Sequence, residues 1–316
     1  MREIGGYIEF EHYHGKMLHE DAIALNCGRN CLAYLFKSRG IKKLKIPFFI
    51  CNSVFSVCDR EGVEKRFYHI GSDFKPTSDL TLESDEWLYL VNFYGQLSNE
   101  EINEYVQKFD RVIVDQANDY FAKPLPGVDT FYTCRKWFGV ADGAFLYTDK
   151  PLPDKFPIDE SYYRMEFLLG RYERTANEFY NGYNANNKYF IDQPIKQMSK
   201  LTRNLLHGID YKFVEKRRRA NFEYLHEQLG ERNLLALRPA TFMYPLMVNN
   251  GAELRKKLQE QKIYIPTLWP TVFEVAREED KEYQMAKNIS PLPIDQRYGI
   301  DDMDHLLNSI FSFLKG

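Results

Sequence analysis

The chain has 316 residues, 44% of them hydrophobic and 28% charged, a make-up that suits about two globular domains and excludes a disordered chain. Forty-two Lys and Arg stand against 45 Asp and Glu, so the basic excess of a nucleic-acid binder is missing. No stretch approaches the ~20 continuous apolar residues of a membrane span. The opening MREIGGYIEFEHYHG lacks the apolar core of a secretory signal, and the five cysteines (27, 31, 51, 58 and 134) are odd in number and form no CxxC. The expectation is a cytoplasmic protein with reduced thiols.

Ala22 to Gly40 carries apolar residues at helical spacing (Leu32, Leu35, Phe36) and stops at a glycine, which predicts a helix. Short apolar runs follow as predicted strands: LKIPFFI (44–50), VEKRFYHI (63–70), WLYLVNFYG (87–95), RVIVD (111–115) and GAFLYT (143–148), with a helix from Glu100 to Phe109. WLYLVNF and RVIVD lack polar alternation, as strands buried on both faces do. Strands separated by helices make βαβ units, hence a mostly parallel sheet with ligand sites at its carboxyl edge.

After Thr148 the texture changes. PLPDKFP (151–157) reads as a connector, Ser161 to Tyr180 as an amphipathic helix, GYNANNKYFIDQP (182–194) as irregular, and 212–232 as a long helix. Strand-like TFMYPLMV (241–248), KIYIPTLW (262–269) and NISPLPI (288–294) alternate with helical GAELRKKLQEQ (251–261) and DDMDHLLNSIFSFL (301–314). The predicted organisation is a large α/β domain over 1–150, a helical bridge over 151–209 and a small α+β domain over 210–316.

Three local features carry chemistry. Asp115 closes RVIVD, at the strand end where α/β proteins bind ligands, although a turn or N-cap aspartate reads equally well there. Lys136 closes TCRK (133–136) ahead of a glycine-containing turn and a buried strand. A cleft there would lower its pKa and make the amine a nucleophile, whereas most single lysines are surface residues. Asn26 to Asn30 is a glycine-containing turn that opens a helix, whose free N–H groups suit phosphate.

In that order the three resemble fold-type I pyridoxal phosphate (PLP) enzymes of the aspartate aminotransferase superfamily, and more closely the DegT/DnrJ/EryC1/StrS sugar aminotransferases. LNCGRNCLAYLF (25–36) resembles that family's SGTxALxxAL segment, and IPFFICNSVFSVCDREGVEKRFYHI (46–70) its second strand–helix stretch. VNFYG and VIVDQAND resemble its next strand ends, and KRRRANFEYL, FMYPLMV, LRKKLQEQKIYIPTLWP and ISPLPIDQRYGIDDMDHL follow its order of small-domain features.

The resemblance implies a PLP-dependent transferase fold: a large α/β/α domain with a mostly parallel sheet, plus a small α+β domain. It implies that Lys136 carries the cofactor, that Asp115 pairs with the ring nitrogen, and that Asn118 lies near the phenolic oxygen. Gly28, Arg29 and Thr133 would hold the phosphate, Arg29 standing where the family has Thr. It further implies a homodimer in which Asn184, from a faint GYNxR echo at 182–184, reaches the neighbouring subunit's phosphate. Cys51 falls where the family stacks an aromatic on the ring; Phe48, Phe49 and Phe93 are substitutes that read equally as core.

The implied activity is transfer of an amino group, with glutamate as donor, to a keto sugar, nucleotide-linked, in surface polysaccharide or related sugar biosynthesis. The alternative is a PLP-fold homologue without transaminase turnover: a sugar-binding or regulatory protein, or a dehydratase-like relative. Other signals are set aside. His12 and His14 lack a distal ligand cluster, so no metal is expected. The 216–219 KRRR run reads as a solvated helix face, and Trp269 either as near the substrate or as core.

Overall fold

The apolar runs of the first half line up as one sheet in the computed structural model, which describes residues 4–314. Its strands are β1 (Ile23–Leu25), β2 (Lys43–Pro47), β3 (Glu64–Tyr68), β4 (Glu86–Val91), β5 (Val112–Asp115), β6 (Asp129–Thr133) and β7 (Ala144–Tyr147). Their spatial order is β1-β7-β6-β5-β4-β2-β3, and β7 alone opposes its neighbours while the others run parallel. Helices α1 (Gly28–Arg39), α2 (Asn52–Glu61) and α3 (Asn99–Phe109) return the chain between strands. Every residue of β5 is buried, which is what its unbroken apolar sequence requires.

The second half supplies α4 (Glu166–Glu173), α5 (Tyr180–Tyr189), α6 (Lys200–His207) and α7 (Tyr211–Leu229). An antiparallel pair, β8 (Met243–Met247) and β9 (Ile289–Pro293), encloses α8 (Gly251–Glu260), α9 (Val272–Val275) and α10 (Lys281–Asn288) in sequence, and α11 (Ile300–Leu314) ends the fold. Phe222 and Leu225 of α7, Leu254 and Leu258 of α8, and Leu306 and Ile310 of α11 close over this pair as a second core. Leu235, Phe242, Trp269 and Ile289 instead join the core of the large sheet, so the two halves pack directly. No helix among the described residues is long and apolar enough to cross a membrane.

Several expectations are corrected. The helix read from Ala22 begins at Gly28, because Ile23–Leu25 pair with β7. β6, inside DTFYT, has no apolar run to announce it and is held by pairing on both sides. The helix read over 161–180 is a 3-10 turn and the short α4, and the segment read as irregular is mostly α5. That helix is secured by its asparagines: Asn186 donates to the Ala141 carbonyl (2.9 Å) and accepts from Arg164 (3.0 Å), and Asn187 accepts from Arg135. KIYIPTLW forms no strand; Ile263 and Ile265 lean on the second core instead.

The KRRR run is not uniformly solvated. Arg218 is buried, stacks 4.6 Å over the Trp137 ring, and donates to Gln296 (2.8 Å) and to the carbonyls of Thr241 (2.9 Å), Phe242 (3.2 Å) and Trp137 (3.4 Å). Burial pushes its guanidinium down to about 10. Arg218→Ala would leave these acceptors unmet and is expected to cost about 2–4 kcal/mol, read as a lower urea midpoint. A midpoint unchanged from wild type would show that the clamp does not hold the halves together.

Candidate active site

Parallel pairing of β4, β5 and β6 brings their carboxyl ends to one edge of the sheet, and the connection from β6 to β7 crosses the same edge. Asp115 ends β5, and Thr133 ends β6 in register with Ala144 of β7. Lys136 follows in the β6–β7 connection, where Trp137 and Phe138 both donate backbone N–H groups to the Cys134 carbonyl. Gly143 closes this connection at φ 114°, with Thr202 and Cys134 side chains 3.0 and 3.1 Å from where a Cβ would stand, so only glycine fits.

Asp115 is 8% exposed, and both its oxygens are engaged. Oδ1 accepts the Ala117 N–H (2.7 Å) and Oδ2 accepts the Tyr89 hydroxyl (2.5 Å). Burial lifts its carboxyl above the ordinary range; the nearby charge of Lys136 and these two hydrogen bonds pull the other way. Lys136 itself is exposed, its Nζ 5.5 Å from the Phe242 ring centroid. The indole N–H of Trp137 donates to the Ala117 carbonyl (3.1 Å), which ties the lysine segment to the aspartate turn. Asn118, buried beside it, accepts the Tyr94 N–H at 3.4 Å.

The start of α1 faces this edge. Its N-cap is Cys27, which makes no side-chain cap, and no acid occupies the first turn. By contrast α3 has a complete capping box from Ser98 and Glu101. The Gly28 and Arg29 N–H groups and the positive end of α1 are therefore able to take an outside anion. A Cβ on Gly28 would come 2.8 Å from Thr133 Cγ2, so glycine permits the contact with β6. Beside it, Thr133 Oγ1 and Arg29 Nε are buried and lack any hydrogen-bond partner. Among the described residues neither Arg29 nor Arg135 has a carboxylate within 4 Å, whereas Arg60 and Arg164 are paired with Glu61 and Asp159. Arg135 is desolvated and near the charges of Arg29 and Arg164, which hold it down to about 10. Two uncompensated guanidinium groups, an orphan hydroxyl and an uncapped helix start have the chemistry a phosphate ester needs. In that respect the residues fit PLP.

The expected residues thus divide. Gly28, Arg29 and Thr133 meet at the helix start, and Asp115, Asn118 and Lys136 share the neighbouring edge. Asn184 lies on α5, but the α5 residues bonded toward the site are Asn186 and Asn187, both within this chain. Phe49 and Phe93 pack on Trp269 at 5.1 and 5.6 Å, so these three are core, while Phe48, half-buried, stacks on Phe67 at 4.8 Å at the core's margin. Cys51 is the N-cap of α2, its thiol 2.7 Å from the Ser53 hydroxyl. Sequence reasoning missed Tyr89, Trp137 and Arg135. A tyrosine inside an apolar run and an arginine with no acid nearby were the signals available.

Solved structures share this architecture. The chain is similar to DesV of S. venezuelae (13% identity, 92% of this chain and 84% of that one, TM-score 0.66). It is also similar to the sugar aminotransferase CalS13 of Micromonospora echinospora (14%, 92% and 87%, 0.62) and to NtdA of Bacillus subtilis, solved with bound cofactor PMP (13%, 93% and 73%, 0.67). The chain has their fold. That is the PLP-dependent transferase fold expected from the sequence, and at such identity the likeness speaks of fold alone. No family model matches the chain, and neither does any curated protein.

Asp115 gives a stability signature independent of any ligand. A carboxyl raised above its unfolded value carries no penalty at low pH, and destabilises once pH rises through the folded pKa. Asp115→Asn is therefore expected to melt higher than wild type at pH 7 in the ligand-free protein. The advantage should vanish as pH falls below the ordinary carboxylate range. A pH-independent difference between the two melting curves would contradict this.

Proposed function

We propose that the chain is a PLP-dependent aminotransferase that passes an amino group, with glutamate as donor, to a nucleotide-linked keto sugar in surface polysaccharide or related sugar biosynthesis. One observation carries this reading. Thr133 Oγ1 and Arg29 Nε are buried without partners beside Gly28, at an uncapped helix start on the edge that holds Asp115 and Lys136. The fold shared with sugar aminotransferases supports the substrate class. The division into 1–150, 151–209 and 210–316 goes with it, supported by the large sheet ending at Tyr147 and the second core starting at Phe222. A cytoplasmic location belongs to the same reading.

When bound, PLP supplies an electron sink for the carbon that gains or loses the amino group. The remaining work is done by side chains. The first N–H groups of α1, Arg29 and the Thr133 hydroxyl would hold the phosphate. Asp115 would keep a proton on the ring nitrogen through a charge-assisted hydrogen bond, and Asn118 would serve the phenolic oxygen. Lys136 Nζ would hold the cofactor and move a proton to and from the substrate; its exposure leaves it open to both. Trp137 and Arg218 keep the lysine segment in place.

Borohydride reduction in the presence of PLP, followed by peptide mapping, is expected to place the phosphopyridoxyl group on Lys136; labelling at another lysine refutes the assignment. Asp115→Asn is expected to keep the fold and some PLP while losing most turnover, since the amide removes the charge that holds the ring proton. Unchanged half-reaction rates would remove Asp115 from that role. A second reading, a homologue that lacks turnover, draws on the Cys51 thiol standing where the family places an aromatic ring. Spectral change on adding amino donors separates the two.

We also propose a two-fold homodimer with the sites at or near the interface. Tyr162, Tyr163, Leu169, Tyr172, Tyr180 and Tyr183 are exposed together on the bridge, and Ile4, Tyr7, Ile8 and Phe10 stand exposed on the N-terminal segment. Aromatic surface of this kind is typical of interfaces. Sedimentation at micromolar concentration should exceed the 37.4 kDa of one chain; a species of only that mass sinks the idea. If PLP affinity ignores Asn184→Ala in the dimer, only the lent residue falls.

A further inference from the structure

Tyr89 is a buried phenol within the apolar stretch 87–91 of β4, and nothing in packing alone requires its hydroxyl. It sits on β4, paired in register with Ile113, two residues before Asp115, so it shares the face of Asp115. Its hydroxyl donates to Asp115 Oδ2 at 2.5 Å, and both side chains are buried. We propose that Tyr89 is a positioning residue that fixes Asp115 as an oriented carboxylate, leaving acceptor capacity for one cationic donor at the site edge.

The argument is one of donors and acceptors. A carboxylate has about four lone-pair sites on two oxygens. Ala117 N–H takes one on Oδ1 and Tyr89 O–H takes one on Oδ2, so the group is anchored at both ends with capacity remaining. Burial and the adjacent carboxylate push the Tyr89 hydroxyl well above its ordinary range, so it stays a donor wherever the protein is folded. A hydrogen bond of this kind favours the ionised form of Asp115 against the desolvation that opposes it. The other titratable groups here are the Lys136 amine, the Tyr68 hydroxyl from β3, which donates to the Tyr89 carbonyl at 2.9 Å, the Cys31 thiol from α1, and the Cys51 and Cys58 thiols from the N-cap and body of α2. Phenylalanine at position 89 would fill the same space and lose only the donor.

This inference rests on the proposed role of Asp115 toward the ring nitrogen, and its test separates the two. The full-length wild type, Tyr89→Phe, Asp115→Asn and the double variant are titrated with PLP, with binding followed by absorbance. The Asp115 carboxyl is also titrated in the ligand-free protein by carbon-13 NMR. Tyr89→Phe is expected to weaken PLP on the order of tenfold, the scale of a hydrogen bond to a charged group. It should also move the Asp115 titration upward, and have no further effect on PLP affinity in the Asp115→Asn background. Unchanged affinity, or tighter binding because the hydroxyl competes with the ring, overturns the proposal. So does an equal loss in the Asp115→Asn background, which marks a merely structural role. If wild type takes no PLP, the functional reading fails; an upward shift of Asp115 in Tyr89→Phe then still supports the positioning role, and an unmoved titration overturns it.

Discussion

Asp115 ends a strand that is buried along its whole length, so its charge has almost no water to solvate it and depends on donors from the chain. Those donors come from different elements. Tyr89 belongs to the neighbouring strand and Ala117 to the turn after β5, while Lys136, in the connection beyond β6, contributes its nearby charge alone. Each must be held in place by something else. Trp137 bonds the lysine segment to the Ala117 carbonyl, and Arg218 with Gln296 bonds the Trp137 carbonyl from the second half (Gln296 at 2.9 Å). A single buried charge thus links sheet, site loop and small-unit helix into one chain of contacts, which is how a polar network specifies geometry.

The halves meet elsewhere by the same device. Glu282 of α10, buried, accepts the Ile70 N–H at 2.7 Å and the His69 ring at 3.1 Å, just beyond β3. Across the other side the Gln96 side-chain amide accepts the Arg238 N–H at 3.0 Å and donates to the Arg238 carbonyl at 3.1 Å. Apolar packing of Trp269 on Phe49 and Phe93 fills the space between. Polar contacts set the register of the two halves, while the aromatic contacts supply bulk burial.

Much of the large sheet was legible because strands buried on both faces must be written in unbroken apolar runs. WLYLV and RVIVD cannot be read as solvated helices. β1 escaped because its three residues at the sheet edge are too few to show a pattern, and β6 because pairing on both sides holds it without an apolar run. α5 escaped for the opposite reason: its Asn-rich sequence has poor helix propensity, and hydrogen bonds to Arg135, Arg164 and Ala141 override it. At the site, Asp115, Lys136 and Gly28 could be found from order along the chain, since strand ends and helix starts are local features. Tyr89 and Arg218 could not. A hydroxyl in an apolar run and one arginine among four basic residues take their meaning from partners distant in sequence.

The reversed strand β7 has a further consequence, for how the parts of the site are joined. Thr133 and Ala144 are paired partners, so Lys136 lies within a short hairpin-like connection whose ends are fastened to each other. Closing such a loop costs little chain entropy, and Asp115 joins through the adjacent parallel strand. The uncapped start of α1 comes from far upstream, and β1, paired with β7, leads into it at this edge. Carboxylate and amine are therefore brought together by contacts of low sequence separation, and the anion cradle by one of high separation. The half that would do chemistry is thus built from near neighbours in sequence, and pairing of the N-terminal strand with β7 brings the half that would hold a ligand to it.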